Sequence, residues 1–403
     1  MSKLEELIQQ YCPDGVEYKK IKEVYQRIKG TPITAGKMKE IQCPDGEIRI
    51  FAGGKTVIDA NEADIPNANI TRVPAVLVQS RGVIDAIYYD KPFTFKNEMW
   101  AYTHKEQTSV KFLYYVMKQN IQHFRDAASG MGALPQISLG TTEDFVIPVP
   151  PLPVQEEIVR ILDNFAELQA ELQAELQKRL HQYEYYRDKL LSFSDLSNWG
   201  GQEVSVEWKK LEEIATDWYR GAGIKRDEVS EEGIPCIRYG EIHTTYNIWF
   251  DECVSHTDES KQPSKKYANN GDILFAITSE DIPFIGNSVA YIGENKIMVG
   301  GDIVVMKHNQ NPKYLSYALS TTDAVLQKGK GKVKSKVVHT NVPSLKEIVV
   351  PIPSLEEQER IATILDKFYA LTTDITAGLP AEIEARRKQY EYYRDKLLTF
   401  KQK

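Results

Sequence analysis

Apolar positions follow two different periods along this chain. Ile158, Ile161, Leu162, Phe165, Leu168, Leu172, Leu176, Leu180 and Tyr183 step by three and four, with Glu, Gln, Lys and Arg between them. That is the spacing of one helical face. It predicts a helix from about Val154 to Ser192, roughly 58 Å long at 1.5 Å per residue, closed by residues 194–201. Ile361, Ile364, Leu365, Phe368 and Leu371 open a second helix in the same way. Gly378-Leu379-Pro380 stops it, and a last helix is predicted from about Ala381 to Thr399. The other stretches carry short β-type runs between turn signals: PDGEIRIFAGG, PAVLVQSRG and DAIYYD, then GIPCIRYGEI, GDILFAITSE and NSVAYIGE. Each also holds a short helix candidate, VKFLYYVMKQN or PKYLSYALSTT.

The two helical stretches are copies. PVPPLPVQEEIVRILDNF at 148–165 answers PIPSLEEQERIATILDKF at 351–368, and QYEYYRDKLL at 182–191 recurs unchanged at 389–398. Each copy starts with a proline-rich turn that ends the preceding strand. A finer repeat, AELQAELQAELQ, fills 166–177. Its leucines fit an ordinary coiled-coil stripe. Perfect tandem copies can also be added or lost without breaking a helix, each worth about 6 Å and roughly 40° of rotation, so they suit a length-setting spacer. The chain therefore divides into an α+β domain at 1–150, a central helix at 151–201, a second α+β domain at 202–350 and C-terminal helices at 351–403. The order of elements in the two domains matches while their residues hardly do. The fold class expected is α+β, with two domains separated by two long antiparallel, coiled-coil-like helices and related by a pseudo-twofold internal repeat.

Composition changes this picture little. Apolar residues make up 42% and charged residues 27%, as in globular proteins. The net charge of −7 speaks weakly against nucleic-acid binding, but phosphate contact depends on local basic patches. No apolar run follows a basic N-terminus, and no stretch is long enough for a membrane span, so a cytoplasmic location without a membrane partner is expected. Cys12, Cys43, Cys236 and Cys253 are far apart, and His243, His256, His308 and His339 are scattered. Neither set has metal-ligand spacing, and neither metal nor cofactor is expected. The chain has no Walker A motif and no GxGxxG after a strand. Asn311-Pro312-Lys313-Tyr314 lacks the second proline of a methyltransferase NPPY motif. Asp14, Glu17 and Lys19 lie too close together for a nuclease metal site.

A globular domain ending in a proline turn and the QEEIVRIL or QERIATIL helix, repeated once, resembles the specificity subunit of type I restriction–modification systems. QYEYYRDKLL at both helix ends, GLPAEIEARRKQYEYYRDKLLTF at the C-terminus and LEELIQQYCPDGVEYKKIKEV at the N-terminus carry the same resemblance, which spans essentially the whole chain. It implies two target-recognition domains, each reading half of a split site on double-stranded DNA. It implies helices that fix the gap between half-sites and bind two adenine-N6 methyltransferase subunits, with restriction subunits joining that core. On this reading the chain is not itself an enzyme. The alternatives are a specificity subunit whose partner fuses methyltransferase and nuclease, a coiled-coil adaptor with no DNA specificity, and, last, a free-standing enzyme.

The strongest basic signal is KGKGKVKSK, in which Lys328, Lys330, Lys332, Lys334 and Lys336 alternate. Extended, they would share one face suited to phosphates, unless the run is simply a solvated loop. Arg220, Lys225 and Arg226 form a second cluster. Arg238, Tyr239 and Gly240 follow, able to meet a base edge or a backbone unless they only cap a core strand. Thr278 and Ser279, with Glu280, end an apolar strand as a polar tip. In the first domain the candidates are Lys29, Thr31, Lys37 and Lys39, then Lys55, then Gln79, Ser80 and Arg81, placed where Thr278–Glu280 stand in the second. For partner binding, Tyr183, Glu184, Tyr186, Arg187 and Lys189 recur as Tyr390, Glu391, Tyr393, Arg394 and Lys396. Helix–helix packing accounts for the tyrosines. Repetition of the outward charges points to two copies of one docking surface.

Overall fold

The computed structural model describes residues 2–129, 134–194, 205–332, 337–373 and 378–403. The chain forms two compact units, Met1–Gln173 together with Glu382–Lys403, and Ala174–Ala381. The first unit is thus discontinuous: the C-terminal helix belongs with the N-terminal domain. Long periodicity yields the expected helices, Leu152–Ser192, Leu355–Thr373 and Gly378–Leu397. The segment between the last two, 374–377, lies outside the described residues.

Both units start from the same local design. In the first, strand Glu17–Lys20 pairs antiparallel with Val146–Val149, Glu17 opposite Val149. In the second, Glu207–Lys210 pairs with Val349–Ile352, Glu207 opposite Ile352. Each first strand runs into a single helical turn, Ile21–Val24 or Leu211–Ile214. The Lys20 and Lys210 amides donate to Glu23 and Glu213, both at 3.0 Å, which satisfies a helix-start N–H. VEYKKIKEV (16–24) and VEWKKLEEI (206–214) are therefore a third repeated segment, beyond the two read from the helices.

The main sheets share one topology. The first runs in the order Gln26–Lys29, Trp100–Thr103, Ala75–Gln79, Asp85–Tyr89, and the second in the order Ala215–Arg220, Ile303–His308, Ile273–Ala276, Ser288–Tyr291, with Trp249–Phe250 added at its edge. A second sheet accompanies each. In both, one strand, Ile48–Phe51 or Ile234–Ile237, has a parallel neighbour, Phe93–Phe95 or Ile297–Val299. The central strands are buried on both faces, as their unbroken apolar runs require.

The helix candidates form as Gln107–Gln119 and Pro312–Leu319, each covering the main sheet of its own unit. Within the first unit, Phe165 stacks on Tyr393 at 5.6 Å between ring centroids. Within the second, Phe368 stacks on Tyr186 at 6.3 Å. The repeated decapeptide thus packs against the repeated helix start in each unit. The C-terminal segment ends beside the first turn of the chain: Val16 N donates to the Lys401 carbonyl at 2.9 Å and the Tyr18 hydroxyl to the Phe400 carbonyl, also at 2.9 Å. All four cysteines are free. Among the described residues no helix is long and apolar enough to cross a membrane.

Candidate nucleic-acid interface

What joins each globular domain to its helix is a half-buried polar node, present twice. Asp163 accepts from Lys111 Nζ at 2.7 Å and from the Tyr115 hydroxyl at 2.5 Å. Asp366 accepts from Lys313 Nζ at 2.7 Å, the Tyr317 hydroxyl at 2.6 Å and Trp249 Nε1 at 3.0 Å. Burial, with the adjacent carboxylate, holds both phenols protonated far above their usual range. About two turns earlier, Gln155 and Gln358 donate to the carbonyls of Pro150 and Pro353 at 2.7 and 2.9 Å. The domain supplies Lys-x-x-x-Tyr from one helix, and the repeated segment supplies the aspartate.

The candidate DNA-contact residues divide by burial. In the first domain Lys29, Lys39, Lys55 and Arg81 are exposed, and none forms an ion pair among the described residues. Lys29, Lys39 and Arg81 border two cavities. One, of about 700 Å³, is lined by Lys39, Arg81 and Lys96, and the other, of about 550 Å³, by Arg27, Lys29 and Gln136. Lys37 is instead paired with Glu40 at 2.8 Å. Thr31, Gln79 and Ser80 are buried, which corrects their assignment as contacts. The Thr31 hydroxyl meets Thr94 at 2.7 Å, Gln79 Nε2 donates to the Gly54 carbonyl at 2.8 Å and Ser80 Oγ to the Glu98 carbonyl. Their partners are inside the domain, where they brace the loops that carry the exposed cations.

In the second domain Arg220, Arg226, Arg238, Tyr239 and Gly240 line a cavity of about 740 Å³. Arg220 is held by Asp302 at 2.6 Å and by the Gly301 carbonyl. Lys225 lies 3.8 Å from Glu228, and Arg226 has no ion pair among the described residues. Arg238 Nε is buried without a hydrogen-bond partner. A neighbouring cavity of about 430 Å³ is lined by Tyr239, His243, Thr278, Ser279, Glu280 and Phe284. Ser279 is buried, another correction.

The start of the lysine run, at Lys328, is helical and not the extended strip that alternation suggested. Helix Thr322–Gly329 reaches into it, capped at Thr321, and places Lys328 in the core at 7% exposure. Lys328 Nζ donates to the Leu319 carbonyl at 2.8 Å and to Ser288 Oγ at 3.2 Å, and burial lowers its pKa from 10.5 to about 7. Lys330 is exposed and Lys332 half-buried. Lys334 and Lys336 lie outside the described residues.

The strand tips also correct a register. Tyr102 lies opposite Val76 and Met306 opposite Ile273. His104 and His308, two residues on, make the same Nδ1 contact with an amide two residues further along, at 3.0 and 3.1 Å. Counting from these pairs, Arg81 corresponds to Thr278, not to Glu280. Arg81 bridges Gln136 and Thr278 bridges His339.

On the repeated decapeptides, Tyr183 and Arg187 are buried and Tyr390 and Arg394 half-buried, so these pack within their units and are not free docking residues. Glu184, Tyr186, Lys189, Tyr393 and Lys396 are exposed, and Glu391 is half-buried. Sequence reasoning passed over Tyr185 and Tyr392, which are 60% and 62% exposed. Their signal was present: they are the members of the decapeptide off the apolar face.

A duplicated α+β domain on duplicated helices is the fold of type I restriction–modification S subunits. The crystal structure of such a subunit from M. genitalium matches with a TM-score of 0.51 at 18% identity, covering 96% of each chain. A structure concerned with complex assembly and conformational transition of the type I system matches with a TM-score of 0.54 at 16% identity, covering 96% of this chain and 98% of that one. The family model for the type I restriction modification DNA specificity domain matches residues 13–182 and 203–385, and the chain belongs to this family of specificity subunits. The EcoR124I/EcoR124II specificity subunit of Escherichia coli is 34% identical over 73% of this chain and 72% of its own. A putative type I specificity subunit of Haemophilus influenzae is 34% identical over 75% and 77%.

Proposed function

We propose that this subunit reads a bipartite site on double-stranded DNA, one half-site through domain 1–150 and the other through domain 202–350. Its repeated helical segments dock two adenine-N6 methyltransferase subunits, and restriction subunits join through that core. Catalysis belongs to those partners and recognition to this chain. The observation that carries the reading is the pairing of like mounts with unlike surfaces. The strand pairing, the proline turn and the Lys–Asp–Tyr node recur with the same bonds, while the exposed residues over the cavities differ in charge and kind. Two readers of different base sequence on a duplex of symmetric backbone need that combination.

Lys29, Lys39 and Lys55, unpaired among the described residues, supply phosphate contacts and position the domain, whereas contacts to base edges set the sequence. Tyr185 and Tyr392, with Glu184, Lys189, Glu391 and Lys396, offer one surface in two copies, and aromatic residues dominate such contacts. The AELQ units of helix Leu152–Ser192 set the gap. The test is to purify the native complex, count its polypeptides and map methylated adenines. Two methyltransferase chains per subunit and a split motif are expected, with exchange of residues 203–350 altering one half-site only. A single uninterrupted motif would refute the reading.

A further inference from the structure

The register of the strand tips singles out one position in each domain. Around Arg81 the backbone is pinned from three sides: Gly54 N donates to the Arg81 carbonyl at 3.0 Å, Gly82 N to the Pro135 carbonyl at 2.8 Å, and Ile137 N to the Ser80 carbonyl at 3.0 Å. The second domain repeats the last bond, with Thr340 N on the Ile277 carbonyl at 2.9 Å. Each return segment then enters a capped turn, with Ser138 or Asn341 as its N-cap. The two backbones match here and the side chains do not. Arg81 and Gln136 are exposed in the first domain, while the second offers Thr278 and His339. Thr278 Oγ1 lies 3.2 Å from His339 Nδ1, which leaves Nε2 for an outside partner. A rigid strand end is the place from which a side chain can be aimed accurately. Arg81 has no ion pair among the described residues, and Lys29 and Lys39 border the same two cavities.

We propose that the bridged pairs Arg81–Gln136 and Thr278–His339 are the corresponding base-reading positions of the two domains, with Arg81 taking a guanine edge in the major groove. This rests on the DNA-reading function proposed above. Arginine matches guanine O6 and N7 with two parallel donors, glutamine matches adenine N6 and N7, and the lysines nearby hold phosphates.

The test uses the assembled complex carrying Arg81→Ala, Gln136→Ala or His339→Ala, with methylome mapping in a host and binding to single-base-substituted duplexes at several salt concentrations. Arg81→Ala should lose about 10- to 100-fold discrimination at one base pair of one half-site. Its salt dependence should stay unchanged. His339→Ala should alter the other half-site alone. A uniform loss of affinity with a shallower salt slope would make Arg81 a phosphate contact and overturn the assignment. So would unchanged specificity in all three variants. A native complex with no sequence preference would instead overturn the DNA-reading function itself, and this assignment with it.

Discussion

Lys328 offers a direct test of how the second domain is held together. Its ammonium is enclosed, and burial brings its pKa down to about 7. The unfolded chain keeps the ordinary value of 10.5. Between these values the unfolded state binds more protons than the folded one, so stability rises with pH from about 7 and levels off above 10.5. With 1.36 kcal/mol per pKa unit, the cost to the folded state is about 4 kcal/mol at pH 7 and about 2 kcal/mol at pH 9. Lys328→Met keeps an unbranched chain of similar length and removes the titration. It also leaves the Leu319 carbonyl without a donor, a loss that does not vary with pH. The measurement is therefore the difference between the two proteins in urea unfolding, followed from pH 7 to 9. Wild type should gain about 2 kcal/mol relative to the variant over that interval. Parallel pH curves would refute the reasoning and return Lys328 to the solvated strip.

Three further outcomes are expected. Deleting one AELQ unit removes about 6 Å of helix against 3.4 Å per base pair, so methylation mapping should show a gap shorter by one or two base pairs. Asp366→Asn and Tyr317→Phe should be non-additive in a double-mutant cycle by about 1–2 kcal/mol, because both act on one 2.6 Å bond; simple additivity would count against the node. Gly15 has φ +108°, and a Cβ there would lie 2.5 Å from the Lys401 carbonyl oxygen. Gly15→Ala should destabilise the first unit by about 1–3 kcal/mol, and removing residues 399–403 should relieve the part due to that clash.

The helices were legible because a 3.6-residue period sustained over 41 residues admits no other reading. The strands were legible for the same kind of reason. Long-range pairing was not: nothing local in VEYKKIKEV says that it meets 146–149, nor that the C-terminal helix joins the first unit. Lys328 misled because alternation implied an extended backbone, whereas the Thr321 cap and the apolar residues before it start a helix that carries one lysine inward. The strand tips were set two residues out because apolar runs of unequal length were aligned by their ends. Ladder partners fix register, and those appear only in the folded molecule. Arg187 looked outward by its charge, yet it packs over the Tyr183 ring at 5.7 Å and pairs with Asp188 at 2.7 Å. An arginine stem can cover apolar surface while its head stays satisfied.

The polar node has a consequence for how such a subunit changes its target. What the two nodes share is a lysine and a tyrosine one helical turn apart on the domain and an aspartate on the mount, with Trp249 added in the second. A replacement cassette that keeps those two side chains and the flanking prolines can diverge everywhere else and still seat. On the proposed function, exchanging a whole domain while keeping these contacts would change the half-site that is read and leave the mount unaltered.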